Sequence, residues 1–352
     1  MSSKVYNVGV IGCGRVLRHY MALFDLGHFQ NFNFVAWCDN KVEKALFFSS
    51  KYGGSAYSAI SDMLEIEHDK LDFILVLTPS GLHYEHSKLC LESKIGVVVE
   101  KPLTLRIDHS EDLISIAKNK NVAFFSILQN RHNTAVIACK EMLSNGEIGR
   151  VLGGYLRLRW SRNQEYYNDD WHGKYALDGG VVAQQAIHHF DALELMVGPL
   201  KSAFAISKTL SHKMEAEDYA VGILENVNGN LFTFEVTTCV AETDQEAVIS
   251  ILGTEGELIL GGQAINKLTL RKLMDGKWVE KSICDEEVPN GYGIGHISQL
   301  SQIIDNFNDL SFRQKNQTNA KIAVEIINMI YASCETQEWA KLGSNSTRLG
   351  IK

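Results

Sequence analysis

Two rhythms of apolar residues run along this chain of 352 residues. From Lys4 to about Ser126, short runs that are apolar throughout alternate with longer, more polar stretches. Val5–Ile11, Asn33–Trp37, Phe73–Leu77, Val97–Val99 and Val122–Ile127 read as strands, and stretches such as Lys41–Tyr52 and Glu85–Ser93 have the length and polarity of helices. Strands that are apolar on both faces and joined by helices form a parallel sheet covered on both sides. Right-handed crossovers then give a doubly wound sheet.

After about Asn130 the rhythm changes. A helix expected near Thr134–Ser144 leads into Gly154–Trp160, where Leu156, Leu158 and Trp160 alternate with Tyr155, Arg157 and Arg159. In Leu231–Val240, Phe232, Phe234 and Val236 alternate likewise with Thr233, Glu235 and Thr237. A period of two marks strands with one buried face, as in antiparallel sheets. Further strands are expected at Ala203–Lys208, Tyr219–Glu225, Ala247–Leu252, Leu258–Leu260 and Leu268–Lys272, with closing helices near His296–Asp309 and Thr318–Glu335. The expected architecture is α/β: an amino-terminal parallel domain, residues 1–128, then an α+β domain, residues 129–352, with an open, mostly antiparallel sheet. The outer face of such a sheet is a candidate interface for a homodimer or homotetramer.

Charge and composition exclude more than they select. There are 34 Lys and Arg against 42 Asp and Glu, with no basic stripe, so nucleic acid is not an expected partner. Apolar runs as short as Phe73–Leu77 exclude a membrane-spanning helix. The seven cysteines are scattered without a C-x-x-C pair, which fits a reduced compartment and no metal knuckle. The amino-terminal stretch before the first strand has no apolar leader core, so a cytoplasmic location is expected.

The first strand ends in Gly12-Cys13-Gly14-Arg15-Val16-Leu17. Glycines at a strand-to-helix turn let backbone approach a pyrophosphate, and the helix start offers it N–H groups. The third small residue of a full fingerprint is replaced by Leu17. Asp39 follows the second strand, where a carboxylate binds the ribose hydroxyls and repels a 2′-phosphate, so NAD is expected over NADP. Thr78-Pro79-Ser80-Gly81-Leu82-His83 and Glu100-Lys101-Pro102 also fall at strand carboxyl ends, where doubly wound sheets bind ligands. Lys101 is the candidate there for proton chemistry.

At these spacings the glycine turn, Thr78-Pro79…His83 and Glu100-Lys101-Pro102 resemble the Gfo/Idh/MocA family of NAD(P)-dependent sugar oxidoreductases. The stretch Gly179-Gly180…Gln184-Gln185…His188-His189…Asp191 is similar to that family's glycine-to-histidine segment. The resemblance implies a Rossmann-type first domain, Lys101 and His188 as catalytic residues, and Gln184 beside them. It places Gly12, Cys13, Gly14, Arg15, Val16, Asp39, Thr78, Pro79, His83, Glu100, Lys101 and Gln129 around the dinucleotide. Gln184 stands where the family often has Asp or Asn, and a glutamine cannot take a proton. The base role then falls on His188 or Lys101.

Read as one helix, Gln184, His188 and Asp191 share a face, and Asp191 could orient His188. Adjacent His188 and His189 point apart on a helix, so no metal is expected. The loop from Trp160 to Lys174 carries Arg162, Tyr167 and Trp171, suited to a sugar or an anionic nucleotide. Its wording is similar to family members acting on UDP-N-acetyl-hexosamines or their uronates. With Lys101, Arg131, Gln185 and His188 these form the expected substrate set. The expected activity is NAD-dependent oxidation of a sugar or nucleotide-sugar hydroxyl. NADP-dependent ketosugar reduction, NAD-assisted glycoside cleavage and a cofactor-sensing regulator are the alternatives.

Overall fold

A computed structural model describes residues 4–288 and 291–351. Residues 1–3, part of the stretch read as lacking a leader, lie outside it. The chain divides into two compact units: residues up to Ile127 with Leu300–Lys321, and Leu128–Gln299 with Ile322–Lys352.

In the first unit, six strands form one parallel sheet: β1 (Tyr6–Ile11), β2 (Phe32–Cys38), β3 (Ser55–Tyr57), β4 (Phe73–Val76), β5 (Gly96–Val99) and β6 (Phe124–Ser126). Their order is β3-β2-β1-β4-β5-β6. This is the doubly wound Rossmann order, which reverses direction between β1 and β4 and opens a crevice at their carboxyl ends. Every residue of β4 and β5 is buried, as their continuous apolar runs require. The crossovers carry α1 (Arg15–Asp25), α2 (Val42–Tyr52), α3 (Ile60–Glu67), α4 (His83–Glu92) and α5 (Ile107–Lys120). Of the strands, only β3, three residues long, has no counterpart in the apolar pattern.

The second unit opens with α6 (Thr134–Ser144) and β7 (Val151–Arg159), followed by α7 (Val181–Gln184) and α8 (Ile187–Val197). Its sheet is completed by β8 (Leu200–Lys208), β9 (Tyr219–Asn226), β10 (Leu231–Thr237), β11 (Glu246–Gly253), β12 (Gly256–Gly261), β13 (Lys267–Met274), β14 (Lys277–Asp285) and β15 (Ala340–Lys341). The order is β14-β13-β12-β11-β7-β10-β9-β8-β15, antiparallel except for β7 beside β10. Phe232, Phe234 and Val236 are buried, so the period of two reports the core face correctly. β14 escapes the same reading because nearly all of it is exposed, and no burial imposes a pattern on it.

Two helices close the fold, α9 (Gly295–Asp305) and α10 (Leu310–Thr336). α10 begins eight residues before the expected Thr318, because Asp309 Oδ1 accepts the N–H groups of Ser311 at 2.8 Å and Phe312 at 3.1 Å. Among the described residues no helix is long and apolar enough to cross a membrane.

Candidate active site

In the first unit the turn after β1 is built by exclusion. Gly12 has φ +96°, and a Cβ there would lie 2.7 Å from the Leu77 carbonyl carbon, so the turn packs flush on the end of β4. Gly12→Ala combines a left-handed alanine with a backbone collision and is expected to cost about 1–3 kcal/mol, read as a lower thermal midpoint. Gly14 differs: nothing lies within 4 Å of its ideal Cβ position, and it opens α1 with no side-chain cap. A helix start without a side-chain cap, beside open space, is what a pyrophosphate needs. Leu17, at the third fingerprint position, is fully buried.

Asp39 holds this turn from the side. Its Oδ2 accepts the Cys13 N–H at 2.9 Å and its Oδ1 the Lys41 N–H at 2.9 Å. Burial, with Asp39 nearby, pushes the Cys13 thiol up to about 12, so Cys13 is an inert packing residue. Arg15 is exposed and Val16 half-buried at the helix start.

At the ends of β4 and β5, Thr78 and Pro79 are partly exposed, whereas His83 is buried. The ring nitrogens of His83 lie 2.7 Å from the Pro102 carbonyl and 2.8 Å from the Thr78 carbonyl. Burial holds this histidine below its ordinary pKa, and as a neutral ring it donates to one of these two carbonyls at a time. Glu100 is buried too; its Oε1 accepts the Tyr20 hydroxyl at 2.6 Å and its Oε2 the Lys101 N–H at 3.1 Å. Lys101 keeps partial exposure next to that anchor. Tyr20, 80 residues away in sequence, is a partner that reading along the chain could not reveal.

In the second unit the glycine-to-histidine segment is almost wholly buried. Of residues 178–194 only Gln184 and His188 keep partial exposure. The Gln184 amide donates to the Asp178 carboxylate, whose Oδ2 also accepts the Gly173 N–H at 3.0 Å. His188 Nε2 lies 3.4 Å from the Gln129 side-chain nitrogen. His189 is a core residue, and burial pushes it down to about 4.

The first unit matches the family description "Oxidoreductase family, NAD-binding Rossmann fold" over residues 6–127, and the second matches "GFO/IDH/MocA C-terminal domain" over residues 136–259. The chain belongs to the Gfo/Idh/MocA family. A WlbA dehydrogenase from Bordetella pertussis, solved with NADH and UDP-GlcNAcA, superposes with a TM-score of 0.83 at 26% identity, covering 96% of this chain and 99% of that one. An inositol 2-dehydrogenase of Mycolicibacterium gilvum is 26% identical over 68% of this chain and 66% of its own length. The NADP-dependent scyllo-inositol 2-dehydrogenase IolW of Bacillus subtilis is 26% identical over 46% of this chain and 44% of its own. The chain thus matches less than two thirds of the length of these curated relatives.

Within this Gfo/Idh/MocA chain, several expected residues have other partners. The single helix expected through Gln184, His188 and Asp191 is two, α7 and α8, with a break at Gln185 and Ala186. Asp191 is bonded to Arg131. Its two oxygens accept Arg131 Nε at 2.9 and 2.8 Å, and Arg131 Nη2 reaches Asp191 at 2.7 Å and Glu194 at 3.0 Å. Burial works against the Arg131 charge, but Asp191 and Glu194 outweigh it and hold the guanidinium above its ordinary pKa. Arg131 is therefore the cation of an internal ion-pair cluster.

The polar loop is also more internally bonded than expected. Tyr167 is buried, with its hydroxyl 2.8 Å from Thr238 Oγ1, and Gln185 is buried as well. Arg162 donates to the Ser161 carbonyl at 2.6 Å and to Asp244 at 3.2 Å, with its guanidinium over the Trp160 and Tyr166 rings. Trp171 stacks on His172 at 3.5 Å between centroids and stays partly exposed. Sequence patterns identify such a loop as aromatic and polar, but not which side chains turn inward. His212, Asp218 and Cys239 come within 4.8 Å of one another, yet Asp218 already accepts three consecutive N–H groups, from Leu210 to His212. That acid caps a loop.

Proposed function

We propose that this chain oxidises a secondary hydroxyl of a sugar, or of a nucleotide-linked sugar, with NAD as hydride acceptor. The observation that carries the reading is the exposure pattern of residues 178–194, where a buried segment leaves only Gln184 and His188 accessible. His188 takes the hydroxyl proton, Lys101 assists, and Gln184 hydrogen-bonds the sugar. Gln129 steadies the His188 ring at 3.4 Å.

The residues of the first unit fit the cofactor. The open space at Gly14 and the uncapped start of α1 suit the pyrophosphate, and Asp39 suits the adenosine ribose. When bound, the nicotinamide supplies the hydride-accepting carbon. Arg15, Val16, Thr78 and Pro79 line the cofactor, while His83 and Glu100 fix the turns that present Thr78 and Lys101. Trp171 and Arg162 offer a platform and a cation to the substrate; Tyr167, Gln185 and Arg131 hold that surface from within. The solved WlbA relative, with its nucleotide-sugar uronate, supports a nucleotide-linked substrate.

The test crosses NAD and NADP with UDP-, GDP- and dTDP-sugars, inositols and free hexoses, following reduced cofactor by absorbance. NADH formation with at least one sugar is expected; none across the panel overturns the reading. Asp39→Ala removes both the ribose acceptor and the Cys13 anchor, so NAD affinity is expected to fall roughly tenfold or more, and NADP affinity to fall less, because only the anchor is lost to it. Titration of both cofactors against wild type and variant checks this.

The outer face of the second sheet supports assembly of copies. Arg157 and Arg159 pair across strands with Glu235 and Glu246 at 2.8–3.4 Å while staying partly exposed, and this face serves as a homodimer or homotetramer interface. Light scattering of the purified protein decides that: a monomer at micromolar concentration excludes it.

A further inference from the structure

Glu217 lies just before β9 and is 1% exposed, a position in which an acid needs a reason. The reason is the start of α7. The Val182 N–H donates to Glu217 Oε1 at 3.0 Å, the Val181 N–H to the Glu217 backbone carbonyl at 3.0 Å, and the Gly180 N–H to the Tyr331 hydroxyl at 3.0 Å. The Tyr331 hydroxyl in turn donates to Glu217 Oε1 at 2.8 Å. Three successive N–H groups at the start of a short helix thus have Glu217 or Tyr331 as acceptor.

The glycine pair is shaped to this contact. A Cβ at Gly180 would collide with the Glu217 backbone and carboxylate, and one at Gly179, where φ is +73°, would lie 3.0 Å from the Tyr331 hydroxyl. We propose that Glu217 and Tyr331 are the positioning pair of the active site, fixing the turn that carries Gln184 and leads into His188. This rests on the roles given above to Gln184 and His188.

Burial, with an N–H and a hydroxyl and not a cation as its donors, suits a neutral carboxyl. Oε1 takes both donors as a carbonyl oxygen does, and Oε2, buried, has no hydrogen-bond partner among the described residues. Burial, joined by neighbouring Asp218, pushes the Glu217 pKa up to about 7, against the donors at Val182 and Tyr331. Glu217 and Tyr331 also line a cavity of about 350 Å³, which gives the buried acid a route to water. The other ionisable groups lining that cavity are Tyr175, Lys208, Glu215, Cys334, Glu335 and Arg348.

A folded-state pKa raised from 4.5 to about 7 makes this acid most favourable to folding below 4.5, a contribution lost as pH rises through 7. Glu217→Gln keeps the carbonyl acceptor and cannot ionise.

The test uses the full chain with Glu217→Gln, Glu217→Ala and Tyr331→Phe. Hydrogen exchange is read by mass spectrometry over residues 180–188, turnover with NAD and the responsive sugar, and thermal midpoints from pH 5 to 8. Glu217→Ala is expected to speed exchange at 180–186 about tenfold beyond the rest of the unit and to lower kcat by a similar factor, with the KM for NAD unchanged. Glu217→Gln restores both to within about twofold and flattens the decline of the midpoint with pH. Should the alanine variant not fold, Tyr331→Phe carries the test through faster exchange at Gly180 and its neighbours. Wild-type exchange at 180–186 in the variant that folds overturns the proposal, as does a loss in Glu217→Gln equal to that in Glu217→Ala. If wild type turns over no sugar, the proposed function fails alone, and exchange still decides the positioning of the turn.

Discussion

Lys101→Met is expected to leave NAD binding within about twofold of wild type while lowering kcat roughly 100-fold or more, the scale of losing general acid–base help. The lysine follows Glu100, whose carboxylate is fixed by Tyr20 at 2.6 Å and by the Lys101 N–H at 3.1 Å. Removing the ammonium therefore leaves its backbone support in place. Methionine preserves the unbranched stem, so a fall in kcat reports lost chemistry and not lost packing. The measurement pairs NAD titration with steady-state turnover of the responsive sugar. Full turnover in this variant would remove Lys101 from the reaction, and a large loss of NAD affinity would make it a binding residue instead.

The second large effect is on stability. Arg131→Met strands Asp191 and Glu194, both buried and both bonded to the guanidinium at 2.7–3.0 Å. Removing one member of such a cluster leaves uncompensated buried charge, with an expected loss of about 3–5 kcal/mol. Replacing all three residues by apolar ones of similar volume should recover most of it, because no charge then remains inside. Chemical unfolding of the single and triple variants checks this. A single variant as stable as wild type would show that the carboxylates find water or simply take up protons.

The two predictions also show what the sequence could tell. The doubly wound sheet was legible because strands buried on both faces must be apolar throughout, and β4 and β5 are. The second sheet was legible wherever one face is buried, as at Phe232, Phe234 and Val236, and it vanished at β14, where neither face is. The break between α7 and α8 was invisible because no Gly or Pro marks it; the split is accompanied by tertiary acceptors, Glu217 and Tyr331, that no local pattern contains. Arg131 and Asp191 illustrate the same limit. An arginine near a predicted site is equally compatible with a ligand or with a carboxylate 60 residues away, and only packing decides.

The two bonds of Asp39 bear on redesign. Because one oxygen braces the glycine turn through Cys13 while the other holds Lys41, the carboxylate proposed to discriminate between cofactors is also scaffolding. A switch towards NADP made by deleting this side chain would loosen the cradle for either dinucleotide. Asp39→Asn, which keeps one acceptor and drops the charge, is the better starting substitution, with a second cation then added at exposed Asn40 beside Lys41. In this chain, cofactor choice and loop rigidity have to be engineered together.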